Sequence, residues 1–178
     1  VASLTSAPAS ALLTDTLLRS DNMAAEELLK EVGHATGAPG STPGGLAATR
    51  AALEPLCVPL SGTDDDGSGL SRANGRSPRE WRKLLQAARD APWWPQLQAA
   101  LPVAGRSGTL ASRFRGTAAE GTVRAKTGTI IGGVALSGYG TTIGGRAFVF
   151  SVLVNGEGSQ AATGALDTLI AAIAAHPG

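Results

Sequence analysis

Near residue 121 the apolar residues of this chain change period, and that change narrows the possible folds more than any other feature. Upstream, the spacing is helical. Leu12, Leu13, Thr16 and Leu17 form one stripe, and Met23, Ala24, Leu28 and Leu29 form another. Between them lies Ser20-Asp21-Asn22, three residue types that favour caps and turns over helix interiors. This predicts helix, short turn, helix, with Gly33 ending the second. "STPGGLAATRAALEPLC" predicts a third, with Thr42 as N-cap and Pro43 at the first helical position. A polar, glycine-rich loop, "TDDDGSGLSRANGR", follows. "SPREWRKLLQAARDAP" carries a capping box of Ser77 and Glu80, with Pro78 as its first helical residue. Trp81, Leu84, Leu85 and Ala88 make its apolar stripe. "WWPQLQAALP" is a shorter helix.

Downstream, alternation takes over. Val123 and Ala125 alternate with polar neighbours as far as Lys126, the expected strand end. "VALSGYGTT" and "RAFVFSVLVN" are β-branched and aromatic runs joined across Gly144-Gly145, a hairpin signal. "SQAATGALDTLIAAIAAH" is an amphipathic helix from Ser159. Helices, then an antiparallel meander, then a last helix give an α+β fold, an antiparallel sheet flanked by helices. Residues 1–178 read as one domain, with a helical lobe over about 1–120 and the sheet and last helix over about 121–178.

The chain's 178 residues are enough to bury a real core. A net charge of +1 with no basic block argues against nucleic-acid binding. No apolar run approaches membrane-spanning length. The single cysteine, Cys57, permits no internal disulfide and reads as a small buried hydrophobe. His34 and His176 are too isolated to build a metal site. Asp64, Asp65 and Asp66 lack the glutamate that an EF-hand spacing demands, so a solvated acidic turn is expected. Trp81, Trp93 and Trp94 are expected to pack against protein rather than stack on sugar. Lys30 and Glu26, four apart, are expected to pair on a helix surface. Arg72 and Asn74 receive no role.

Two tripeptides carry chemistry: S-D-N at Ser20 to Asn22 and K-T-G at Lys126 to Gly128. With S-x-x-K they are the signature of serine β-lactamases and penicillin-binding proteins. Their contexts suit an active site wedged between a helical lobe and a sheet. The first falls at a turn between helices, the second on the first strand of the meander. Five longer stretches extend the likeness: "LLTDTLLRSDNMAAEELL", "DGSGLSRANGRSP", "LPVAGRSGTLASRF", "GTVRAKTGTIIGGVALSGY" and "FVFSVLVNG". On these the chain resembles the class C low-molecular-weight penicillin-binding proteins, the D-Ala-D-Ala carboxypeptidase/endopeptidase family. The likeness covers nearly the whole chain, in the family's order.

The resemblance implies a transpeptidase fold like that of penicillin-binding proteins and serine β-lactamases, and an acyl-serine mechanism on peptidoglycan stem peptides. It implies β-lactams as covalent inhibitors of the complete protein, a place outside the cytoplasmic membrane (periplasm or cell-wall side), and no metal or organic cofactor. Ser20 would relay a proton towards the leaving nitrogen. Asn22 would grip the substrate backbone and the catalytic lysine. Lys126 would supply positive potential, and the Thr127 and Thr129 hydroxyls would hold the terminal carboxylate. Gly128 would let substrate lie close to the strand, and the Thr129 amide would be an oxyanion-hole donor.

S-x-x-K itself is absent. The chain's three lysines, Lys30, Lys83 and Lys126, follow Glu27, Glu80 and Val123 at the required spacing. The expectation is therefore a partial fold that lacks the nucleophile helix and the strands before it. An N-terminal polypeptide of the same protein, bound to this one, is expected to supply S-x-x-K. An excised fragment, a catalytically silent binding or scaffold relative, and a β-lactamase are the alternatives.

Overall fold

A computed structural model describes residues 3, 5–58 and 61–178 of the chain. The first two helices, α1 (Ala9–Arg19) and α2 (Asn22–Ala35), meet at the S-D-N turn. α3 (Thr42–Leu53) packs on α2 through glycine. A Cβ on Gly33 would lie 2.9 Å from the Gly45 nitrogen, and one on Gly45 only 2.1 Å from the Leu29 carbonyl oxygen. Gly33 therefore does not end α2, as its position in the sequence suggests; it sits inside the helix as a contact surface. The N-cap of α3 is Ser41, whose Oγ accepts from the Gly44 amide at 3.3 Å, so Thr42 is the first helical residue and Pro43 the second. Cys57 is exposed. It closes a 3₁₀ turn at φ 52°, a position that faces solvent rather than the core.

The capping box on α4 (Pro78–Ala88) is formed as the sequence predicts. Ser77 Oγ accepts from the Glu80 amide at 3.2 Å, and Glu80 Oε2 accepts from the Ser77 amide at 2.9 Å. Glu80 also accepts from the Gly62 amide at 2.8 Å, which ties the loop before α4 to the helix start. Arg76, between Asp64 and Glu80, completes this clasp. Of the tryptophans, Trp94 packs, on α5 (Trp94–Ala100), with its ring edge-on to Tyr139 at a centroid distance of 4.5 Å. Trp81 and Trp93 are 38% and 43% exposed, so only one of the three bears out the packing expectation.

The sheet has the order β1 (Arg124–Ile130), β2 (Gly133–Thr141), β3 (Ala147–Asn155), antiparallel throughout. β1 runs on through K-T-G, so Lys126 is its third residue and not its end. The second hairpin closes with the Thr142 amide donating to the Arg146 carbonyl at 2.9 Å, with Gly145 at φ 82°. A 3₁₀ turn, Ser159–Ala162, precedes α6 (Thr163–Ala174). One face of the sheet presents Ala125, Leu136 and Phe150 to Ile170 and Ala174 of α6, forming the core. On the other face the Tyr139 hydroxyl donates to the Leu85 carbonyl of α4 at 2.7 Å. The outer edge of β3 has no partner strand among the described residues.

Glu80 links pH to this fold. The Ser77 amide first, then the Gly62 amide, hold its carboxyl at about 2, from an ordinary 4.5. A lowered pKa means that the folded state favours the ionised form. The contribution is full above pH 4.5 and is lost as pH falls towards 2. Glu80→Gln is expected to lower the melting temperature at neutral pH and to flatten its decline across that window. Thermal melts by circular dichroism check this; an unchanged acid slope would contradict it.

Candidate functional site

The S-D-N turn is built by backbone geometry. Ser20 follows the last residue of α1 with φ 58° and ψ 49°, the left-handed conformation that closes many helices. The Asp21 amide donates back to the Thr16 carbonyl at 3.1 Å, completing the stop. Asp21 then caps the next helix, its Oδ1 accepting from the Ala24 amide at 3.0 Å. Asn22 is the first residue of α2 and is exposed. Its side chain makes no hydrogen bond among the described residues.

From the sheet, Lys126 reaches this turn. Its Nζ donates to Ser20 Oγ at 2.7 Å and to the Thr127 carbonyl at 2.7 Å. Burial lowers its pKa from the ordinary 10.5, since a desolvated ammonium is costly. Because Ser20 accepts from the ammonium, its own proton is left for another acceptor. The Ala125 amide donates to the Pro102 carbonyl at 3.0 Å, away from β2. Backbone groups alternate along a strand, so the Thr127 and Thr129 N–H groups also point to that outer side. Gly128 and Thr129 are exposed, and a Cβ on Gly128 would meet only Ala135, whose Cβ would lie at 3.2 Å. Thr127 Oγ1 lies 2.9 Å from Thr109 Oγ1. Of the sequence-predicted site residues, Ser20 and Lys126 are brought into contact, Thr127 to Thr129 line the open edge beside them, and Asn22 stands at the helix start next to Ser20.

Two supporting arrangements depart from what the sequence suggests. Glu26 does not pair with Lys30, which instead donates to Glu27 at 2.8 Å. Glu26 accepts from the Gly67 and Ser68 amides at 3.1 and 2.9 Å, tying the loop to α2. Within that loop Asp66 accepts from the Gly69 and Ser71 amides and from Asn74 Nδ2, each at 2.7 Å. Asn74 Oδ1 accepts from the Asp65 amide at 2.8 Å, and Asp64 pairs with Arg76. Asp64 and Asp66 are thus half-buried acceptors of a built loop, whereas the Asp65 carboxylate is exposed, as a solvated turn would have it, and accepts only from Ser71 Oγ. Arg72 of the loop reaches the Ile131 carbonyl at 3.4 Å, at the tip of the β1–β2 hairpin. Gln160 Nε2 donates to the Ile130 carbonyl at 2.8 Å. Two concavities, of about 490 and 330 Å³, lie elsewhere: one is lined by Arg50 and Glu54, the other by Arg113 and Asp167.

The comparisons with known proteins agree on a family. The family described as D-Ala-D-Ala carboxypeptidase 3 (S13) matches residues 1–176. The chain is 42% identical over 180 residues to a D-alanyl-D-alanine carboxypeptidase of Actinomadura sp. (strain R39), covering 98% of this chain and 33% of that protein. It is 36% identical over 180 residues to carboxypeptidase DacB of Mycolicibacterium smegmatis, covering 97% and 39%. Penicillin binding protein 4 (dacB) of Haemophilus influenzae, solved in complex with a novel β-lactam, matches with a TM-score of 0.77 and 29% identity, over 82% of this chain and 35% of that one. The fold is that of the penicillin-binding proteins. The chain spans about a third of the length of the curated relatives it matches.

Ser20 holds a left-handed conformation that an L-residue with a Cβ disfavours. Ser20→Ala and Ser20→Gly both delete the hydroxyl that meets Lys126, but only glycine relieves the backbone. The glycine variant is expected to be more stable than the alanine variant by about 1 kcal/mol. Urea denaturation of the two side by side measures this; equal midpoints would contradict it.

Proposed function

The chain belongs to the D-Ala-D-Ala carboxypeptidase 3 (S13) family, and from that premise we propose that it is the C-terminal portion of a single serine-type DD-peptidase domain. The whole protein cleaves the D-Ala-D-Ala end of peptidoglycan stem peptides outside the cytoplasmic membrane, as a carboxypeptidase or an endopeptidase, and β-lactams inhibit it covalently. The observation that carries this reading is the hydrogen bond from Lys126 to Ser20, which draws the S-D-N turn and the K-T-G strand to one edge. The nucleophile, a serine three residues before a lysine, lies in an N-terminal polypeptide of the same protein. The relatives are longer than this chain, which covers 33% and 39% of them, and that leaves room for such a segment.

In the first step the nucleophile oxygen bonds to the carbonyl carbon of the penultimate D-alanine while its proton passes to the neighbouring lysine. The carbonyl oxygen becomes an oxyanion, which the outward-pointing Thr129 amide stabilises. The carbon–nitrogen bond then breaks, and the departing amine takes the proton that Ser20 holds free. The lysine beside the nucleophile resupplies Ser20. Water hydrolyses the acyl-serine, and the lysine accepts and returns the proton. Lys126 remains an ammonium throughout, orienting Ser20 through its oxygen and lending positive potential to the substrate's terminal carboxylate. The Thr127 and Thr129 hydroxyls hold that carboxylate, the exposed Gly128 leaves room for the substrate backbone, and Asn22 grips it from the helical side.

A fluorescent penicillin and a peptide ending in D-Ala-D-Ala test this reading on the longer protein that carries the chain. The expected result is D-alanine release together with covalent label on the N-terminal part, with no label on the present chain alone. Lys126→Ala in the longer protein is expected to reduce kcat/KM about 10²–10³-fold, the scale of losing a preorganised electrostatic donor. Absence of both label and D-alanine release would sink the enzyme reading in favour of a silent peptidoglycan-binding relative. Rapid penicillin turnover without D-alanine release would instead identify a β-lactamase.

A further inference from the structure

The turn Gly108–Leu110 lies between the two halves of the site. Leu110 is fully buried in the core and its carbonyl accepts from the Gly105 amide at 3.0 Å. Gly108 has φ 56°, and a Cβ there would lie 2.8 Å from the Leu18 carbonyl oxygen, two residues before Ser20. The turn is therefore pinned to the core on one side and pressed against the end of α1 on the other. Between these anchors Thr109 presents its hydroxyl to Thr127 at 2.9 Å.

We propose that Thr109 is a positioning residue that orients the Thr127 hydroxyl to donate to the C-terminal carboxylate of a peptide. This inference rests on the reading above that Thr127 meets such a carboxylate. Each threonine hydroxyl has one proton and two acceptor lone pairs. With Thr127 donating to Thr109, as the pair stands here, the Thr127 proton is committed. When a carboxylate arrives, both O–H bonds rotate. Thr109 then donates to Thr127, and Thr127 donates outward. No heavy atom moves, and each bond polarises the other. The β-branch of Thr109 limits its rotamers, so the outer oxygen is held in place before the ligand binds. Lys126 donates to the Thr127 carbonyl at 2.7 Å, which sets the ammonium beside the same anion.

Binding of two probes to the longer protein separates this role from a purely structural one. The probes are D-alanyl-D-alanine and its uncharged C-terminal amide, and their dissociation constants are read from nitrogen–proton NMR shifts at Thr127 to Thr129. Wild type and Thr109→Ser are expected to prefer the carboxylate. Thr109→Val, which keeps the branch and loses the oxygen, is expected to lose about tenfold of that preference with amide affinity unchanged. Thr109→Ala serves the same purpose should the valine variant fail to fold. In a Thr127→Val background the Thr109 substitution is expected to have no further effect. An unchanged carboxylate preference in the valine or alanine variant overturns the inference, as does an equal loss for both probes. If wild type itself shows no carboxylate preference, the reading of the site falls and the inference falls with it.

Discussion

A 2.7 Å hydrogen bond from the Lys126 ammonium to the Ser20 hydroxyl joins residues 106 positions apart. It ties the S-D-N turn at the end of α1 to the K-T-G strand. Other contacts brace the elements on either side of it. The Gly108–Leu110 turn separates α1 from β1 and touches both. Arg72 and Gln160 reach the carbonyls at the β1–β2 hairpin. Glu26 binds the glycine-rich loop to α2. The edge beyond Ala125 is therefore a fixed surface, with backbone donors on one strand and side chains from two lobes around it.

Several of its parts oppose stability when taken singly. Ser20 occupies backbone space where a residue with a Cβ is strained. Lys126 is drawn out of water, which disfavours its charged form. Both conditions persist because neighbouring structure over-determines them. The Thr16 carbonyl holds the turn after Ser20, and the Thr127 carbonyl shares the ammonium. That combination of strain and support is the pattern in which a fold gives up stability for a preorganised group.

The sequence was most informative where the deciding interaction is local. The capping box at Ser77 and Glu80 spans one turn of chain, and its residues define it without reference to anything distant. The alternating runs from 134 to 155 specify their own strands. S-D-N and K-T-G were legible as a pair through resemblance, and Ser20 and Lys126 do meet. The misreadings share a cause. Gly33 has the chemistry of a helix stop, yet the backbone of α3 uses it as a contact surface. Glu26 has a lysine at helical spacing, yet two amides 41 and 42 residues away claim it. Cys57 carries no local sign of exposure, and Asn74 none of its bonds across the loop. Thr109 stood inside a quoted pattern, but its partner is 18 residues on and in another element. Spacing rules cannot rank such distant partners, because the tertiary contact decides between equally plausible local fates.

The S-D-N tripeptide assigns one structural duty to each of three consecutive residues: a left-handed stop, a cap and a first helical position. No spare residue lies between them. The direction of the Asn22 amide is thus set by the phase of α2, and that phase is set by where α1 ends. One residue inserted into the turn would rotate the amide by about 100° around the helix axis. The motif is consequently a gearing between two helices as much as a set of functional groups, and its length is as constrained as its letters.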